Sequence, residues 1–410
     1  MATQVETGNF VANTGGTTTT VTTGFQGKGL ILFTHTKTTE GESAGALFSM
    51  GFADNGARVG VMAWSGDDAV ATSNTGRSKY SNRALQINSD GTPTQVCRVA
   101  SVAFNAAPNF VLTFNITPAS AWEISYILIG GTDITNTFVG STTVATSIST
   151  QNIIGVGFQP DAVFVIHALG VDATNTVARA GIGMAVSAAK QWSWFGSVAD
   201  GATTSAAVDG LSLLRNDVLI SGEASGVNAL LADFTQFTGD GFDINVSDAA
   251  PASWQMSYLC IKGGQWDAGV QAKPATATTQ TFNVAFTPKG IGFLMSSATA
   301  LNTYTSECIS TWGAWDGTTE VYSGAYHNDA INIVAKSAGA STKVLREIGY
   351  TAEADGTTLA ANTVITWDAA GTAYLVAWWA AGDNAGGGSP PAAAFGDYAG
   401  QFRIIRPTSW

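Results

Sequence analysis

The chain has 410 residues, 45% of them apolar and only 12% charged, with a formal net charge of −12. That acidic balance repels a phosphate backbone and argues against a nucleic-acid partner, while 47 glycines among many Thr and Ala residues favour strands and turns over helices. Cys97, Cys260 and Cys308 lack CxxC spacing and read as small core hydrophobes rather than a disulfide framework, and three histidines leave little material for acid–base or metal chemistry. No cofactor is expected.

From the N-terminus, residues 1–6 lack a basic segment followed by an apolar one, so no secretory signal is expected. The first strand signal is Gly24-Phe25-Gln26, followed by the apolar run Leu30-Ile31-Leu32-Phe33. His35 ends that run. Beyond it, Gly41-Glu42-Ser43-Ala44-Gly45 spells the G-x-S-x-G of a nucleophile elbow. An elbow needs a buried parallel strand before the serine and a helix after it, whereas Lys37-Thr38-Thr39-Glu40 is polar, so the motif reads as a glycine-rich loop between strands. Asp67-Asp68 reads as a pair of turn acids.

The first unit closes on Trp122-Glu123-Ile124-Ser125-Tyr126-Ile127-Leu128-Ile129-Gly130-Gly131. Alternation puts Trp122, Ile124, Tyr126 and Leu128 on one face, while Ile127 and Ile129 bury the far end on both sides. The same two signatures then return. Gly157-Phe158-Gln159-Pro160 precedes Ala162-Val163-Phe164-Val165-Ile166, and Trp254-Gln255-Met256-Ser257-Tyr258 leads to Gly263-Gly264. In a third copy Ala285-Phe286-Thr287-Pro288 precedes Ile291-Gly292-Phe293-Leu294, and Tyr374-Leu375-Val376-Ala377-Trp378-Trp379 stands for the closing strand. The phenylalanines lie 133 and 128 residues apart and the two closing tryptophans 132, so two markers give one period.

The expected fold is therefore all-β: three tandem β-sandwich, jelly-roll-like modules over residues 1–131, 132–264 and 265–383, and an extended tail over 384–410. The most apolar stretch, residues 373–381, is too short to span a bilayer, and no membrane insertion is expected. His167, at the end of an apolar strand like His35, is expected to be a surface strand-end residue. Residues 240–243 and Asp316 read as turn acids, since they do not recur in the copies. Trp192, Trp194, Trp312 and Trp315 lie outside the repeat signatures and are candidates for stacking a glycan.

After Asp383 the composition changes to a Gly/Ser/Pro/Ala linker. The last residues carry Phe395, Tyr398, Phe402, Arg403, Ile404, Ile405, Arg406 and Trp410, with the aromatics and arginines that anchor interfaces, and are expected to bind a partner.

The paired signatures over residues 157–166 and 254–264, with the Thr-rich opening after residues 7–14, resemble a module of tailed-bacteriophage virion proteins. The resemblance covers most of residues 6–383, and the third copy departs from it, lacking the Gln and the closing Gly-Gly. It brings no catalytic residues or metal ligands. It implies a non-enzymatic structural protein of the virion, assembled in the host cytoplasm. A capsid-surface decoration protein acting as a pseudo-trimer comes first, with a tail or fibre component that binds a receptor or glycan as the alternative and a glycan-cleaving enzyme third. Its expected partners are a major capsid or tail protein and further copies of itself.

Overall fold

The structure, a computed structural model, describes residues 2–35, 38–68, 73–201, 210–224, 227–250, 252–328 and 335–384. Every regular element among them is a β-strand, and the sheets named below pair antiparallel. One ten-stranded pattern occurs three times, over strands from Thr3–Val11 to Glu123–Gly131, from Asn136–Val144 to Trp254–Lys262, and from Gln265–Ala272 to Leu375–Gly382. In each, the first, tenth, third, fourth, fifth and sixth strands pair in that order to form a large sheet. The second, ninth, eighth and seventh form a small one. The two short strands outside this pattern, Gly41–Ala44 and Ala173–Asn175, both lie between a third and a fourth strand.

Each large sheet is covered on both faces. One face packs on its own small sheet, giving a separate core to each module. The other faces of all three large sheets share a fourth core, which brings Phe33, Phe48 and Trp64 together with Phe164, Trp192 and Trp194 and with Trp312 and Trp379. This explains why antiparallel strands such as Ala46–Asp54 and Leu375–Gly382 are buried at every position, a pattern more usual in parallel sheets. Alternate side chains enter two different cores. The closing strand of the first module follows the expected alternation: Ile124, Tyr126 and Leu128 point into the module core, Ile127 and Ile129 into the shared one. The small sheets face solvent on one side, and their edge strands Thr18–Thr22 and Thr279–Asn283 alternate exposed and buried accordingly.

Candidate functional site: the module junctions

The three modules close into a ring by repeating one contact. The sixth strand of each large sheet is an edge, and an open edge is a template for uncontrolled pairing. Each edge is covered by the connection between the third and fourth strands of another module. Gly41–Ala44 of the first module lies along Ala335–Ala340 of the third, with Ser43 opposite Ser337. Ala173–Asn175 of the second lies along Thr75–Tyr80 of the first, with Asn175 opposite Arg77. Thr305 of the third bridges Ser212 in Gly210–Arg215 of the second, through two backbone hydrogen bonds of 3.0 and 3.1 Å. Arg77, Ser212 and Ser337 hold the same register position in their sheets. The contact therefore runs first to third, third to second and second to first, and it closes.

A second contact follows the same circuit. Each first strand packs against the turn between the fourth and fifth strands of the neighbouring module. Asp54, fully buried, accepts the Val139 N–H at 2.6 Å, and Asp316 accepts the Thr7 N–H at 3.0 Å. Thr7 and Val139 are equivalent, each preceding a glycine (Gly8, Gly140) that lies against a closing-strand tyrosine (Tyr126, Tyr258). At the third junction the polarity is reversed. The turn of the second module carries Lys190 instead of an acid, and its ammonium meets Asp267 of the third module's first strand at 2.5 Å. Asp267 also accepts the N–H groups of Ala268 and Ala285 at 2.8 and 3.1 Å. Open clefts of about 610 and 460 Å³ lie beside the Asp316 turn and the turn after Asp54.

At one end of the ring the chain's own connections converge. A Cβ on Gly264 would sit 3.1 Å from both Ile134 and Thr3 and 3.2 Å from the Gly382 carbonyl. Thr3 N–H donates to Asp383 at 2.7 Å and Asn384 N–H to Asp133 at 2.9 Å. The first strand, both inter-module connections and the exit toward residue 385 thus meet at this pole. The fifth strands end at the opposite pole, where His327 of the third module lies against Gly66 of the first and Gly210 of the second.

The structure separates the residues singled out from the sequence. Trp192, Trp194, Trp312 and Trp315, the candidates for stacking a glycan, are at most 5% exposed and present no open ring face; the rings fill the shared core and the core of the third module. Trp192 donates its indole N–H to the Trp378 carbonyl across a junction, and Trp194 to Ser212. His35 and His167, expected at the surface, are buried, as is His327. Their large sheets are covered on the face that sequence alone leaves open. Burial pushes His167 down to about 3 and His327 to about 4. His35 lies against Gly339 with its Nδ1 3.5 Å from Ser323 Oγ of the third module.

The G-x-S-x-G segment, expected to be a loop, is the edge-covering strand Gly41–Ala44, with no helix after it. Glu42 within it pairs with Lys336 and Arg346, both at 3.1 Å. Asp240 accepts the Gly155 and Gly157 N–H groups at 3.0 and 2.6 Å, as a turn acid does. The three cysteines are buried and free, and burial raises all three thiols, Cys97 and Cys308 to about 12. Among the described residues no group of three or more His, Cys, Asp or Glu side chains is placed to hold a metal ion. The tail residues Phe395, Tyr398, Phe402, Arg403, Ile404, Ile405, Arg406 and Trp410 lie outside the described residues.

Sequence reading missed two polar features. Glu307 collects the hydroxyls of Tyr326, Tyr350 and Tyr374 at 3.5, 3.2 and 3.1 Å, and Lys273 and Glu347 form a fully buried ion pair at 3.3 Å. Their partners are distant in sequence and absent from the other copies, so no periodic signal marks them. A comparison with known protein families finds none that matches the chain, and a comparison with curated proteins finds no relative.

Proposed function

We propose that this chain is a non-enzymatic structural protein of a virus particle, seated on the capsid surface as a single-chain pseudo-trimer. The observation that carries the reading is the cyclic junction, repeated three times with equivalent register. A closed heterologous ring ends assembly instead of propagating it. It also presents a threefold-like body to a threefold position on a lattice. The convergence of the chain exit on one pole supports that pole as the particle-facing side, since residues 385–410 start there with their aromatic and arginine content. The likeness of the repeat signatures to phage virion modules points the same way. Burial of the four tryptophans removes the feature that favoured glycan binding.

Quantitative mass spectrometry of density-gradient-purified particles tests this. Hundreds of copies in proportion to the major shell protein are expected. A few to a few tens would move the protein to a tail fibre or spike, and absence from particles would overturn the virion reading.

A further inference from the structure

We propose that Arg77 and Lys79 form a buried binding site for a small oxyanion, of the class of inorganic phosphate or sulfate, at the junction of the first and second modules. The two residues are alternate positions of the strand Thr75–Tyr80, so they share a face, and both are fully buried. That face meets the second module. Arg77 Nε donates to the Val177 carbonyl at 3.1 Å, and Lys79 Nζ to Ser257 Oγ at 2.5 Å. Nη1 and Nη2 of Arg77, the far edge of the guanidinium, are buried and have no hydrogen-bond partner.

Among the described residues no carboxylate hydrogen-bonds to either cation. The charged group acting on Arg77 is a second guanidinium, Arg179, and burial with this repulsion pushes Arg77 down to about 10. Asp172, the carboxylate that acts on Lys79, is engaged by the Ser81 N–H and hydroxyl and by Gln255. His167 is fully buried beside Lys79, with neither ring nitrogen partnered. The fold does not require this charge: Ser212 and Ser337 stand at the Arg77 position in the other sheets, and Leu214 and Gly339 at the Lys79 position. The other two junctions close with no cation at these two strand positions, so this one carries the pair for a separate reason. A buried unpaired cation is costly, whereas a guanidinium edge with two free N–H groups matches an oxyanion in bidentate geometry. Gly170 faces that edge without a side chain: a Cβ there would come to van der Waals contact, 3.6 Å from Nη1 and 3.9 Å from Nη2. Full burial excludes a side chain from another macromolecule and leaves a free ion, taken up as the ring closes.

The test is the melting temperature of the full chain at constant ionic strength, with chloride replaced stepwise by inorganic phosphate or sulfate. A saturable rise of about 2–5 °C at a hundredfold excess over Kd is expected, lost in Arg77→Met and weakened in Lys79→Met. No response in the wild-type chain, or an undiminished response in Arg77→Met, overturns the proposal. Should Arg77→Met not fold, crystals of the wild-type chain grown in selenate decide. An anomalous selenium peak about 4 Å from Nη1 and Nη2, which puts its oxygens at hydrogen-bond distance, supports the site, and an ordered Arg77 without a peak overturns it.

Discussion

Gly51, Gly183 and Gly313 occupy one position in the fourth strands, each opposite the same point of the fifth. A Cβ there would lie 1.8, 1.9 and 1.7 Å from the carbonyl oxygens of Ala84, Leu219 and Val344, at or just before the seventh strands. The backbone of the small sheet touches the large one at this point, and only hydrogen leaves room. Replacing any of the three by Ala should cost about 3 kcal/mol or more, because backbone rather than a side-chain end has to move. Gly239→Ala, with nothing within 4 Å, should stay within about 0.5 kcal/mol, and denaturant midpoints of the four variants make the comparison. These glycines were invisible in a chain with 47 of them. Histidine titration is the other test at this scale. His167 and His327 have folded values of about 3 and 4 against an ordinary 6.5, so between these limits the unfolded chain binds more protons. Stability contributed by the neutral rings is complete above 6.5 and is lost as pH falls toward 4. His167→Met, which installs the residue found at the equivalent Met295, should flatten the dependence on pH between 4 and 6 by up to about 1.4 kcal/mol per pH unit. An unchanged slope would show that His167 titrates freely.

At the scale of elements, the junction turns show how one contact survives a change of chemistry. Two junctions place the acid in the turn and the third places it in the strand, but in each a carboxylate caps an N–H of the first strand, buried at Asp54 and Asp267 and half-buried at Asp316. Asp267 is 3% exposed, whereas the Lys190 side chain is 46% exposed. Asp267→Ala should therefore cost about 2–3 kcal/mol by stranding the Ala268 and Ala285 N–H groups, and Lys190→Ala less than about 1 kcal/mol. Thermal melts that rank the two the other way would mean that the ion pair, not the capping, holds this junction. Strands were legible wherever two-residue alternation met a turn signal, as over residues 122–129. The segment Gly41–Ala44 was not, because it is short and polar and its partner Ser337 lies 294 residues from Ser43. Local sequence carries no mark of an edge that it covers from so far away.

For the whole molecule, the 132-residue period between Trp122 and Trp254 made the three modules readable, since each copy must bury the same faces. The shared core was not readable. Residues such as Trp192, Trp194 and Trp312 carry the same alternating apolar signal whether the far face of the sheet meets solvent, a ligand or another module. Local sequence therefore left them as candidates for a sugar site, and the third layer of packing puts them in the core. Ring closure depends above all on the junction between the first and third modules, which no linker enforces. The decisive measurement is a cysteine pair at Ser43 and Ser337, opposed in the antiparallel register at that junction. Such positions lie within the Cα separation a disulfide spans, and the three native cysteines are buried, so the background is low. Mild oxidation of Ser43→Cys/Ser337→Cys should give an intramolecular bond in the monomer, seen as a shift in non-reducing electrophoresis and by peptide mapping. Free thiols throughout, or disulfide-linked dimers alone, would contradict a closed ring.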